Sequence, residues 1–153
     1  MKSVQHYLEM YRSAAQNAVP DEAVLAVGLV TRPGATKGVL VGQVSPVVGM
    51  MMRHSGKKKS GGFPLNALMA VTATRLISFE YRPRASKVKI LAKVAEWHRG
   101  AVWVEPGHTG IGNQIFFHLA DGSTVELEGL RSIGQYDAMN NPFYAALGLL
   151  TPA

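Results

Sequence analysis

Cysteine is absent from the 153 residues. Disulfides, thiol nucleophiles and thiolate-bound zinc are therefore excluded. Charge is also sparse, at 17% of residues, against ~25% in soluble domains generally. A surface so poor in charge points to area hidden against a second copy or another protein. Long apolar runs are missing: no segment reaches the ~18 residues of a membrane span. The nearest approach, Val39–Met52, is broken by Gln43, Ser45 and Pro46. The first residues lack the apolar core of a secretory signal, because Gln5, His6, Glu9, Arg12 and Gln16 interrupt them. A cytoplasmic protein with room for peripheral membrane contact is expected.

Catalytic and metal patterns are equally scarce. His6, His54, His98, His108 and His118 are scattered, and no two share helical spacing with a carboxylate. Gly49 and Gly56 are separated by six residues and followed by Lys57-Lys58. A phosphate loop needs four residues there, then Lys and a hydroxyl for magnesium. Gly107-His108-Thr109-Gly110-Ile111-Gly112-Asn113 precedes no helix and reads as a hairpin loop. Glu126 and Glu128 read as exposed hairpin charges with no partner base. No enzyme, metal or cofactor is expected.

What is present is β-structure. Hydrophobic residues make up 47% of the chain, enough for one folded domain with a core. Leu68–Tyr81, Lys87–Trp97, Ala101–Glu105 and Gln114–Ala120 leading into Thr124–Leu127 read as strands cut by turns. Such a run of hairpins predicts an antiparallel meander closing toward a barrel or sandwich. Val88, Ile90, Ala92 and Val94 alternate with Lys87, Lys89, Leu91 and Lys93, a pattern with one solvated face. A parity shift near Thr72–Arg75 predicts a bulge or a turn. Asp121-Gly122 predicts a hairpin turn, because both residues tolerate positive φ.

Helices flank this region. Val4, Tyr7, Leu8, Tyr11, Ala14, Ala15 and Ala18 recur at helical spacing, with Ser3 as N-cap and Pro20 as terminator. An amphipathic helix over residues 1–19 is expected, then a barrel domain over 20–153. Val24, Leu25, Val27, Leu29 and Val30 read as its first strand. A Gly-, Met- and Lys-rich insertion follows at 32–64, with a short helix expected around Val39–Met52. Near the end, Asn141 as cap and Pro142 in the first turn predict a closing helix at 142–150, with Phe143, Leu147 and Leu150 on one face.

Val71-Thr72-Ala73-Thr74-Arg75-Leu76 resembles a motif of the bacterial pleckstrin-homology-like family, including its GRAM relatives. In that family a Leu/Val-Thr-x-x-Arg-Leu pattern marks a tight turn between two early strands. The resemblance runs through the later hairpins, roughly from Pro20 to Leu150. It implies a mainly β split barrel of about seven antiparallel strands, capped by the C-terminal helix. It also implies that Thr72 ties the turn, Arg75 reaches over the rim and Leu76 enters the core. Many pleckstrin-homology domains carry a headgroup-binding loop where this chain has its insertion.

The expected role is a binding module, associating with itself or with another protein. If the N-terminal helix stands off its own barrel, Tyr7, Leu8 and Tyr11 should form a self-interface. The alternative is an anionic lipid or phosphate surface met by Arg53, Lys57, Lys58 and Lys59. A net charge of +6 with a pI near 9.8 is compatible with it. A second alternative is nucleic acid, with Trp97, Trp103, Phe116 and Phe117 stacking on bases and Lys87, Lys89 and Lys93 supplying charge. It is not expected, because Trp97 and Trp103 fall in or beside turns and a barrel needs large aromatics for its core.

Overall fold

The computed structural model describes residues 3–32, 62–84, 87–106, 113–129 and 140–149. The expected helix around Val39–Met52 lies outside them. Helix α1 (Val4–Ala18) is followed by strands β1 (Ala26–Thr31), β2 (Asn66–Val71), β3 (Arg75–Pro83) and β4 (Val88–His98). A 3-10 turn at Arg99–Ala101 leads to β5 (Val102–Pro106), β6 (Asn113–Leu119), β7 (Thr124–Gly129) and helix α2 (Asn141–Ala146). The strands form one antiparallel sheet in the order β4-β3-β2-β1-β7-β6-β5. Among the described residues nothing pairs with the outer sides of β4 and β5, so they are its edges, the sheet is not closed, and the architecture is consistent with a split barrel.

Each face of this sheet carries a core. Val30, Met69, Val71, Leu76, Phe117, Leu127 and Phe143 meet on the barrel side. On the other face Val27, Leu29, Leu68, Ala70, Ile77 and Phe79 meet α1 through Tyr11 and Ala15. This explains why β1 is buried at every position and why its residues read as a continuous apolar run. Ser3 caps α1 by accepting the His6 N–H at 3.2 Å. Gln16 anchors the other end, accepting from Val24 N–H at 2.9 Å and donating to the Val19 and Glu22 carbonyls.

Two sequence readings are corrected. The parity of Val88, Ile90, Ala92 and Val94 does not hold along β4. Register shifts at Ser78/Phe79 and Phe79/Tyr81 insert bulges, and each extra residue swaps the buried parity. Val88 and Ile90 therefore pack toward α1, whereas Val94 and Trp97 pack into the barrel. Glu128 is not an exposed hairpin charge: it is 3% exposed on β7.

The parity shift near Thr72 is a turn joining β2 to β3. Thr72 Oγ1 accepts the N–H groups of Thr74 at 3.3 Å and Arg75 at 2.9 Å, which is the hydroxyl-tied turn the residue type favours. Gly122 takes φ of 90° in the β6–β7 hairpin, a conformation that costs glycine little.

The two halves of the barrel meet at β1 and β7, which among the described residues pair at Val30↔Gly129 and Thr31↔Glu128. The next residue of β1 is bonded by the side chain of Asn140, with Nδ2 and Oδ1 on the Leu29 backbone. Asn140, not Asn141, is the N-cap of α2, and its side chain makes no capping bond. Phe143 lies against Gly28 and the Tyr144 hydroxyl against Gly129, where a Cβ would collide with them. Glycine at these two positions lets α2 seat on the barrel.

Candidate protein-binding edge

The two free edges of the sheet differ. β4 carries two bulges and Lys89 and Lys93, with Lys87 just before it. Bulges and lysines are the devices that keep an edge strand from pairing with other chains. β5 has no bulge in its pairing with β6, and its one charged residue, Glu105, is tied to His118 at 3.0 Å. Trp103, in the middle of β5, is 70% exposed. β5 is short and ends at Pro106, two features that limit how far pairing along it can run.

A groove of about 680 Å³ runs beside this edge. Its wall includes the unbroken run of residues 99–104, with Leu119 beneath, Leu76 at the start of β3 and Leu147 just past α2. Arg99 holds the floor together. Its guanidinium donates to the Thr72 carbonyl at 2.9 Å and the Ala146 carbonyl at 3.1 Å. The β2–β3 turn and the end of α2 are thereby fixed relative to β5. On the outer face Trp103 lies across from His118 in register. His118 stacks on Phe116 with ring centroids 6.4 Å apart, and its Nδ1 is 2.9 Å from Thr124 Oγ1. This is an aromatic and polar face beside an open backbone edge, with apolar side chains lining the adjoining groove. Such a surface can take an extended chain: the edge offers hydrogen bonds and the groove receives alternate side chains.

The motif residues occupy the same end of the barrel. Leu76 is buried and reaches the groove wall. Arg75 crosses the rim to three carboxylates: Asp21 at 2.9 Å, Glu22 at 3.1 Å and Glu96 at 2.9 Å. Hydrogen bonding by Thr72, then by Thr74 and Arg75, holds the Glu22 carboxyl below its usual range. Asp21 and Glu22 raise the Arg75 pKa still further, so this cluster clamps the α1–β1 linker onto the barrel. With its guanidinium shared among carboxylates, Arg75 is a structural residue here.

The other predicted residues fall elsewhere. α1 packs on its own sheet, so the condition for the Tyr7, Leu8 and Tyr11 self-interface is not met. Tyr11 is buried with its ring edge-on to Tyr81 at 5.8 Å, and burial pushes its hydroxyl pKa up. Tyr7 packs at the margin of the same cluster, and Leu8 is half-buried. Arg53, Lys57, Lys58 and Lys59 lie outside the described residues. Trp97 is not in a turn. It belongs to β4 and contacts Phe63 and Phe117 inside the barrel.

The sequence marks neither Arg99 nor Asn140, and it marks Leu147 only as part of the apolar face of the closing helix. Arg99 precedes a turn glycine and Leu147 was assigned to helix, so neither bore a mark of the groove. Among the described residues no helix is long and apolar enough to cross a membrane, and no group of three or more metal-binding side chains occurs. Comparisons with protein-family models, curated proteins and solved structures find no match.

Proposed function

We propose that this chain is a non-catalytic interaction module, of the pleckstrin-homology-like type its Thr72–Leu76 motif resembles. Its partner is an extended segment of another protein, added as a strand along β5. The observation that carries this reading is the contrast between the β4 edge, guarded by bulges and lysines, and the β5 edge, which has neither and carries Trp103 with the groove beside it. Covering an aromatic of this size removes on the order of 100–200 Å² from water, and rigid aromatics of this kind anchor protein interfaces.

The test is selection of random peptides on the intact chain, with the Trp103→Lys variant as counter-selection. Apolar peptides of strand-forming composition that bind the wild type and not the variant are the expected result. Light scattering on the same samples separates the occupants. A dimer that forms without peptide and dissociates with Trp103→Lys would make a second copy the occupant. Absence of enriched peptides together with a monomeric mass, or binding indifferent to the variant, would overturn the proposal.

A further inference from the structure

The β3–β4 hairpin extends past the rest of the sheet. Pairing between β2 and β3 ends at Ala67↔Glu80, but β3 and β4 stay paired out to Pro83↔Val88. Residues 81–83 and 88–90 thus form a two-stranded ribbon. One of its faces is taken: Tyr81, Val88 and Ile90 pack against the α1 cluster. Arg82 lies directly across from Lys89. At the tip, Arg84 and Lys87 exchange backbone hydrogen bonds of 2.7 and 3.4 Å. All four of these cationic side chains are exposed.

Every other described lysine and arginine has a polar partner. Arg12 meets Glu9, Lys93 meets Glu96, and Arg75 meets its carboxylates. Arg32 donates to the Phe63 carbonyl, and Arg99 to those of Thr72 and Ala146. Among the described lysines and arginines, only Arg82, Arg84, Lys87 and Lys89 make no ion pair or side-chain hydrogen bond, and all of them sit on this ribbon. Like charges directly opposite on two strands oppose the pairing. An anion lying along the ribbon would relieve that repulsion.

We infer that this ribbon is a contact for the phosphate backbone of duplex nucleic acid, read without regard to sequence. Charge complementarity and shape carry the assignment. Duplex DNA presents about one negative charge per 1.7 Å of axis, and its major groove admits a two-stranded ribbon. The expectation against nucleic acid concerned aromatic stacking on bases, and a backbone contact needs no stacking. A membrane suits the ribbon less well. Tyr81, Val88 and Ile90 are engaged with α1, which leaves no large apolar side chain at the tip to enter a bilayer.

The test uses the full chain, a short random-sequence DNA duplex and fluorescence anisotropy between about 50 and 200 mM salt. Four phosphate contacts contribute about −3.6 to the slope of log K against log salt, and the Arg82→Gln/Lys89→Gln variant should lose about half of that. Arg84→Gln/Lys87→Gln should do the same, while Arg12→Gln, on α1, should leave the slope unchanged. A slope indifferent to both double variants would overturn the inference. So would absent duplex binding, including the case in which phosphatidylserine vesicles bind and release with the same charge dependence, which would assign the ribbon to a membrane surface. Thermal melting of each variant confirms that the fold is retained.

Discussion

The side-chain amide of Asn140 pairs with the backbone of Leu29 in both directions, its Nδ2 donating to the Leu29 carbonyl at 2.8 Å and its Oδ1 accepting the Leu29 N–H at 2.9 Å. It bonds the β1 residue next to the Val30↔Gly129 pair, and it is 3% exposed. Asn140→Ala removes both bonds and leaves two buried backbone groups without them. At ~1–3 kcal/mol for each such group, with partial relaxation, the loss should be about 2–4 kcal/mol. A urea titration should show a lower midpoint with an unchanged slope.

Gly28 and Phe143 are similarly coupled. A methyl group at position 28 would fall within the Phe143 ring, so Gly28→Ala should destabilise by about 1–3 kcal/mol through overpacking. Phe143→Ala alone leaves a cavity and should cost about 3–5 kcal/mol. The double variant should be more stable than the sum of the two losses implies, because the smaller side chain makes room for the methyl. Thermal melts of the four proteins close this cycle.

The Arg75 cluster has a pH signature. The Glu22 carboxyl is held below its ordinary value by Thr72, Thr74 and Arg75. A depressed carboxylate contributes stability that is fully present above its unfolded pKa of about 4.3 and is lost as pH falls through the lower folded value. Wild type should therefore exceed Glu22→Gln in stability at neutral pH, and the gap should close below about pH 4. Asp121 is held low by Ser123 and contributes acid sensitivity common to both proteins. Denaturation midpoints measured across the acid range check this.

Much of the fold was legible because it is local. Alternation along β6, the Asp121-Gly122 turn, the Ser3 cap and the tie from Thr72 to Arg75 all act over a few residues. The parity of β4 was not legible, because its bulges are set by pairing with β3 and leave no mark in the Val88, Ile90, Ala92, Val94 spacing. Glu128 was misread for a related reason: its burial comes from the β1–β7 junction, which joins residues far apart in sequence. The site was less legible than the fold. Trp103 was visible, but only the strand order shows that its strand is an edge. Arg99 and Leu147 acquire their place from the return of α2 to the β5 side of the barrel. Lys87 and Lys89 are legible as basic residues on a strand, but their placement opposite Arg82 and Arg84 and their lack of partners are properties of the packed molecule.

Strand addition at β5 is the central claim, and amide hydrogen exchange over residues 102–105 tests it most directly. Outward-facing N–H groups on an open edge exchange readily, and a partner strand slows them. With a selected peptide bound, the account predicts slower exchange at residues 102–105, unchanged exchange along β4, and no protection in Trp103→Lys. Unchanged exchange at β5, with protection appearing on α1 or β4 instead, would contradict it.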